Sequence, residues 1–216
     1  MKKRTLLAMV ALSALLAACG KNESASTAAA PVAAPVPAAM TKLVIGLDDN
    51  FPPMGFRDDK NEIVGFDIDM AREAAKRMNV EVDFKPIDWS AKEAELVGKR
   101  VDALWNGLTI TEERKKNIAF TAPYMENHQI IIVRANSDIK DKAGLAGKVV
   151  GRFHVAKKAG EYLVLEDNFG TEDYGVGLRK EDTEVLGKLE AALAEMKKDG
   201  KAAEIASKWF GKDIIK

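Results

Sequence analysis

The hydrophobic pattern divides the chain into a leader, a tether and a folded part. Lys2-Lys3-Arg4 precedes an apolar run from Thr5 to Leu16. That run falls short of the roughly 20 residues that span a membrane and suits a secretory leader. Lys21 to Met40 has no period and almost no charge. Its Ala, Pro, Ser and Thr content predicts a semi-extended tether. From Leu43 onward, short apolar runs alternate with helical stripes. Leu43–Gly46 and Ile63–Phe66 read as strands separated by an Asp58–Asn61 turn. Asp67 is expected to cap a helix that carries Ile68, Ala71, Ala75 and Met78 and ends at Asn79. Val80, Val82 and Phe84 alternate with polar residues as in a half-buried strand. Ser90-Ala91-Lys92-Glu93 has the spacing of a capping box, and Gly98 ends the helix it would open. Val101–Trp105 reads as a strand, Thr111 as the cap of a further helix, and Ile130–Val133 as a central strand. Strand alternating with helix predicts an α/β fold around a parallel sheet.

The second half is less regular. Lys148–Gly151, Tyr162–Leu165 and Tyr174–Leu178 have strand character. Val185, Leu186, Leu189, Leu193 and Met196 form a helical stripe, and Lys201–Phe210 forms another with Ile205, Ala206 and Trp209.

Charge changes this picture little. The chain has 33 basic and 33 acidic residues. Loss of Lys2, Lys3 and Arg4 with a leader leaves about −3. This excludes the basic excess expected of a nucleic-acid partner. Cys19, the single cysteine, excludes an intrachain disulfide and a cysteine-based zinc cage. His128 and His154 have no ligand-like spacing, so no metal or other cofactor is implied. Asp58–Glu62 lacks the glycine and glutamate spacing of a calcium loop. Leu16-Ala17-Ala18-Cys19-Gly20 resembles the bacterial lipobox, in which the cysteine is lipidated after cleavage. The alternative is an ordinary leader with an incidental cysteine. The lipobox reading makes residues 1–18 a signal peptide and 19–40 the leash of a membrane-anchored, extracytoplasmic protein.

A set of motifs then extends over nearly all of Leu43 to Gly211. They are Gly46 to Phe56, Gly65-Phe66-Asp67-Ile68-Asp69-Met70, Asp102 to Arg114, Ala119 to Tyr124, Tyr174 to Lys180, and Lys208-Trp209-Phe210-Gly211. In this order they resemble the solute-binding proteins of bacterial polar amino-acid ABC transporters. The resemblance implies two α/β lobes that close around one amino acid, and delivery of that ligand to a permease by a monomeric receptor. Lobe one would take residues 41–124, lobe two 125–180, and the C-terminal helices of 181–216 would return to lobe one.

The implied site can be weighed residue by residue. A guanidinium fork grips a carboxylate bidentately, and the family's carboxylate-binding arginine falls on Arg114. A lone arginine is more often a solvated helix residue, so the motif is what singles it out. Thr109 and the Gly107 amide match positions that share the carboxylate, and the following helix start would add N–H donors. Phe51 and Trp89 match the aromatics that sandwich the ligand side chain; core packing is the alternative for each. Asp48 matches an acid that meets a ligand amino or cationic group, and otherwise caps a tight turn. Asn106 matches a polar contact.

One departure stands out. The family's second lobe normally has a helix after the Lys148–Gly151 strand, and later a strand ending in an aspartate that pairs with the ligand's α-ammonium. Here Gly151 runs straight into Arg152-Phe153-His154. Several tens of residues are missing from lobe two, whose remnant is a size at which core burial is marginal. The expectation is a binding protein with an intact lobe one, a shortened lobe two and weakened or lost binding. A non-transporting remnant is the alternative. A dehydratase-like enzyme on the same scaffold is less well supported, because no histidine or cysteine falls in the matched motifs.

Overall fold

The computed structural model describes residues 40–146 and 161–216. Cys19, the leader, nearly all of the tether, the Lys148–Gly151 run and His154 lie outside them. The chain opens with β1 (Lys42–Leu47), β2 (Asn50–Phe51), β3 (Gly55–Arg57) and β4 (Ile63–Val64). The last three form a small antiparallel sheet. The carboxylate of Asp58 accepts from the Lys60 and Glu62 amides and so shapes the β3–β4 turn.

Helix α1 (Phe66–Met78) buries Phe66, Ile68, Met70, Ala71, Ala74 and Ala75. Asn79 ends it in the left-handed conformation, its N–H reaching back to Ala75 and Lys76. The helix starts two residues earlier than expected. Gly65, not Asp67, holds the cap position, at φ 142°. A Cβ there would come 2.2 Å from the Met54 carbonyl oxygen, so only glycine fits. Asp67 is consequently a buried residue of the first turn.

Strand β5 (Glu81–Pro86) follows, then one 3₁₀ turn at Trp89–Ala91 and α2 (Lys92–Val97), closed by Gly98. The expected Ser90 capping box does not form. Asp88 caps the preceding 3₁₀ turn, accepting from both the amide and the hydroxyl of Ser90, and α2 itself, with Ala91 at its cap position, has no side-chain cap. The chain continues through β6 (Ala103–Leu104), α3 (Glu112–Lys115) and β7 (Ile118–Phe120). Next come β8 (Met125–Arg134), β9 (Tyr162–Tyr174), β10 (Gly177–Arg179), α4 (Thr183–Lys198) and α5 (Lys201–Phe210).

The main sheet has the order β5-β1-β6-β10-β7. β1 runs parallel to β5 and β6, whereas β10 is antiparallel to both neighbours. The sheet is therefore mixed rather than wholly parallel. β10 arrives on the return leg of a ribbon, without the crossover helix that a parallel neighbour requires. Both faces of the sheet are covered. Leu43, Ile45, Ala103 and Trp105 join one core with residues of α1, α4 and α5. Leu104 belongs to a second core with Leu96 of α2, Val101, Leu108 and Ile118, against which Val44 packs. This alternation is the period-2 pleat of β1 and β6 sending successive side chains to opposite layers. Arg179 ties the layers together. It donates to the carbonyls of Leu96 and Val101 and to Asp102 at 2.9 Å, and its Nε lies 2.7 Å from Asp182.

β8 and β9 form a two-stranded antiparallel ribbon, from Met125 opposite Tyr174 to Arg134 opposite Tyr162. Ile130–Val133 is thus part of this ribbon and not a central strand. Ile130 is 49% exposed, and Val164 and Phe169 are more exposed still. Tyr162–Leu165 is the start of one 13-residue strand that runs on to Tyr174. Among the described residues, this ribbon with the Ala143–Leu145 turn is what stands in place of a second α/β lobe.

Candidate functional site

The carboxyl ends of parallel strands are where α/β sheets bind ligands. Here those are the ends of β1 and β6, which deliver Asp48 and the Asn106–Thr109 segment. The side-chain amide of Asn106 donates to the Asp48 carbonyl at 2.8 Å. Asn106 is only 1% exposed, so it braces the turn from the interior rather than presenting a polar group at the surface. The Asp48 carboxylate accepts from the Asn50 amide at 3.0 Å, the turn-capping role.

Gly107 adopts φ +58° between two rings. A Cβ there would stand 3.0 Å from Phe51 Cε1 and 3.1 Å from Tyr174 Cε2. Its amide does not face outward. It donates to the Asp67 carboxylate at 2.7 Å. The same oxygen accepts from Tyr124 Oη at 3.0 Å. Burial pushes Asp67 up from 3.8 to about 7, a rise that the Gly107 and Tyr124 hydrogen bonds partly offset. Burial, then the neighbouring Asp67 charge, raises Tyr124 well above the usual phenol value.

Thr109 and Arg114 stand together beyond this core. Arg114 Nη1 donates to the Thr109 carbonyl at 2.8 Å. Its Nε lies 3.4 Å from Glu93 at the start of α2. The Thr111 hydroxyl accepts the Arg114 amide at 3.2 Å, so Thr111 caps α3 as expected. With only four residues, α3 is too short to supply the expected anion site at its start. The Thr109 hydroxyl donates to Glu172 of β9 at 2.9 Å. Glu172 also accepts from Asn127 at 2.6 Å and Gln129 at 2.7 Å, both on β8.

Trp89 packs against the Leu96–Leu108 core, whereas Phe51 packs against the other. The Lys92 ammonium sits 5.4 Å from the Trp89 ring centre. Burial, then the Arg114 charge, lowers the pKa of Lys92. Asp48 and Asn106 are thus joined by one hydrogen bond and Thr109 and Arg114 by another, with Gly107 between them in the chain and against Phe51; Trp89 lies near Arg114 through Lys92 and Glu93 of α2. The sequence reading did not find Asp67, Tyr124, Asn127, Glu172 and Tyr174. An acid between Phe66 and Ile68 on a buried stripe was the available signal for Asp67. Glu172 depends on a strand register that no local pattern specifies.

The layered α/β sheet with Arg114 and Thr109 beyond its carboxyl ends has the architecture of the solute-binding proteins. Residues 43–212 match the model of the bacterial extracellular solute-binding proteins, family 3, and the chain belongs to that family. The L-cystine-binding protein TcyJ of Escherichia coli K12 is 29% identical over 224 positions, which cover 81% of this chain and 84% of that protein. The histidine-binding periplasmic protein of Salmonella typhimurium is 30% identical over 231 positions, covering 80% and 89%. Among solved structures, a histidine-bound ABC uptake substrate-binding protein of Streptococcus pneumoniae has a TM-score of 0.71 at 29% identity, covering 81% of this chain and 94% of that one. An ancestral arginine-binding protein bound to arginine gives 0.71 at 31%, covering 79% and 99%. The share of 81% is about 175 residues of this chain set against 224 aligned positions, so about 50 positions of the cystine-binding relative have no counterpart here. This agrees with a shortened second lobe.

Proposed function

We propose that this chain captures a free polar or cationic amino acid outside the cytoplasm and hands it to the permease of an ABC importer, as a lipid-anchored monomer. Residues 1–18 serve as a cleaved leader, Cys19 carries the lipid, and residues up to 40 form the leash. The observation that carries this reading is Arg114 held by Thr109 at the carboxyl end of β6. The fork has five N–H donors and meets a carboxylate bidentately. Phe51 and Trp89 supply apolar faces and Asp48 a negative charge for the ligand side chain. Asn106 and Gly107 shape the surface from within.

Relatives named for cystine, histidine and arginine support these three as first candidates. The ribbon in place of a full second lobe favours a second reading, in which closure is incomplete and binding is weak or lost. Titration calorimetry of the purified chain against L-arginine, L-histidine and L-cystine decides. Binding that Arg114→Ala weakens at least about 100-fold, the worth of a bidentate charge-assisted pair, supports capture. A folded protein that binds none of the three supports the second reading.

A further inference from the structure

A free amino acid carries two opposite charges on adjacent carbons. A site that selects it needs a cation and an anion within reach of one another. Arg114 is the cation, and three carboxylates compete for the other role. Glu93 lies 3.4 Å from Arg114 Nε and is paired with the fork itself. Asp48 is turned onto the Asn50 amide on the Phe51 side. Glu172 differs from both. Thr109 joins it to Arg114, taking the guanidinium on its carbonyl at 2.8 Å and giving its hydroxyl to Glu172 Oε2 at 2.9 Å. Cation and anion thus share one residue, Thr109, as a hydrogen-bond partner. Asn127 and Gln129 both donate to Oε1, which fixes the carboxylate plane. Oε2 takes the Thr109 hydroxyl, and a carboxylate oxygen accepts two donors.

From this geometry we infer that Glu172, held by Thr109, Asn127 and Gln129, is the group that receives the α-ammonium of the ligand. The inference rests on the proposed amino-acid capture. It also gives the ribbon a part in recognition, because Glu172 and its two amide donors all lie on β8 and β9.

The test uses the full chain and a ligand pair that differs only in the α-ammonium, L-arginine and 5-guanidinovaleric acid. L-Histidine with imidazolepropionic acid serves if histidine binds more tightly. Calorimetry is run on the wild type, Glu172→Gln and Glu172→Asp, each checked for folding by circular dichroism. The expected result is wild-type preference for the amino acid, and a loss of about 10- to 100-fold in Glu172→Gln for the amino acid alone. Glu172→Asp retains the charge on a shorter arm and falls between. Equal losses for both ligands, or none, overturn the assignment while leaving capture standing. If the folded wild type binds neither of these nor L-cystine, the proposed function fails and the inference falls with it.

Discussion

Asp67 sits where the candidate site meets the core. Its carboxylate holds the Gly107 amide and the Tyr124 hydroxyl at once, and Tyr124 is the residue just before β8. With a value of about 7, it keeps its proton in the folded chain over a range where the unfolded chain has lost it. A raised acid of this kind adds stability that is complete below about pH 4 and is lost as the pH climbs through 7. The wild type should lose about 2–3 kcal/mol between pH 5 and pH 8 in urea unfolding, and Asp67→Asn should flatten that slope. Identical slopes in the two proteins would show that Asp67 ionises freely when folded. The residue was legible only as a helix cap, because Asp near the start of a stripe usually serves that end. Gly65 displaced it: a cap position at φ 142° beside the Met54 carbonyl admits no side chain.

At the scale of elements, the patterns that could be read were those with many repeats. The α1 stripe, the α4 and α5 stripes and the alternation along β1 each carry several residues that agree. Short elements were decided by one competing bond. Asp88 and Ser90 both have capping chemistry, and Asp88 caps the 3₁₀ turn while its carboxylate also takes the Ser90 hydroxyl. Ile130–Val133 looks buried by composition, yet a run of four apolar residues does not say how many layers cover it. The segment from β6 to α3 makes a sharper case. Its turn needs Gly107 at φ +58° between Phe51 and Tyr174. Gly107→Ala is expected to cost about 1–2 kcal/mol in backbone strain and to push the two rings apart. Thermal unfolding should show the loss, and affinity for the amino acid should fall with it, since Phe51 moves. An unchanged melting curve would mean that the turn relaxes freely.

For the molecule as a whole, the family and the intact first lobe were legible because their motifs lie in the sheet unit, where local sequence and fold agree. The site was legible in part. Arg114 and Thr109 are hydrogen-bonded neighbours, as their closeness in the chain allows, but Glu172 and Asn127 meet only through ribbon register. Residues far apart in the chain become neighbours there by a pairing that local propensity does not encode.

The ends of that ribbon hold a consequence for how the chain can change length. The Tyr124 amide donates to the Tyr174 carbonyl, and the Thr121 amide to the Val176 carbonyl, so the excursion leaves and re-enters the sheet unit at nearly one point. A loop whose ends already meet costs entropy only as the logarithm of its length, about 0.6 kcal/mol per doubling. Losing some 50 residues from such a loop therefore barely disturbs the layered unit beneath it, whatever it does to the loop's own packing. Carried to its limit, a chain in which residues 126–173 give way to a two-residue Asn-Gly turn should still fold, with circular dichroism and a cooperative melt like those of the parent. It should bind no amino acid by calorimetry, having surrendered Glu172. A molten or aggregated product would instead mean that β8 and β9 template the insertion of β10 between β6 and β7. In polymer terms the second lobe is a tied-off loop: the sheet unit fixes where its two ends meet, and the length beyond that point is open to deletion and growth.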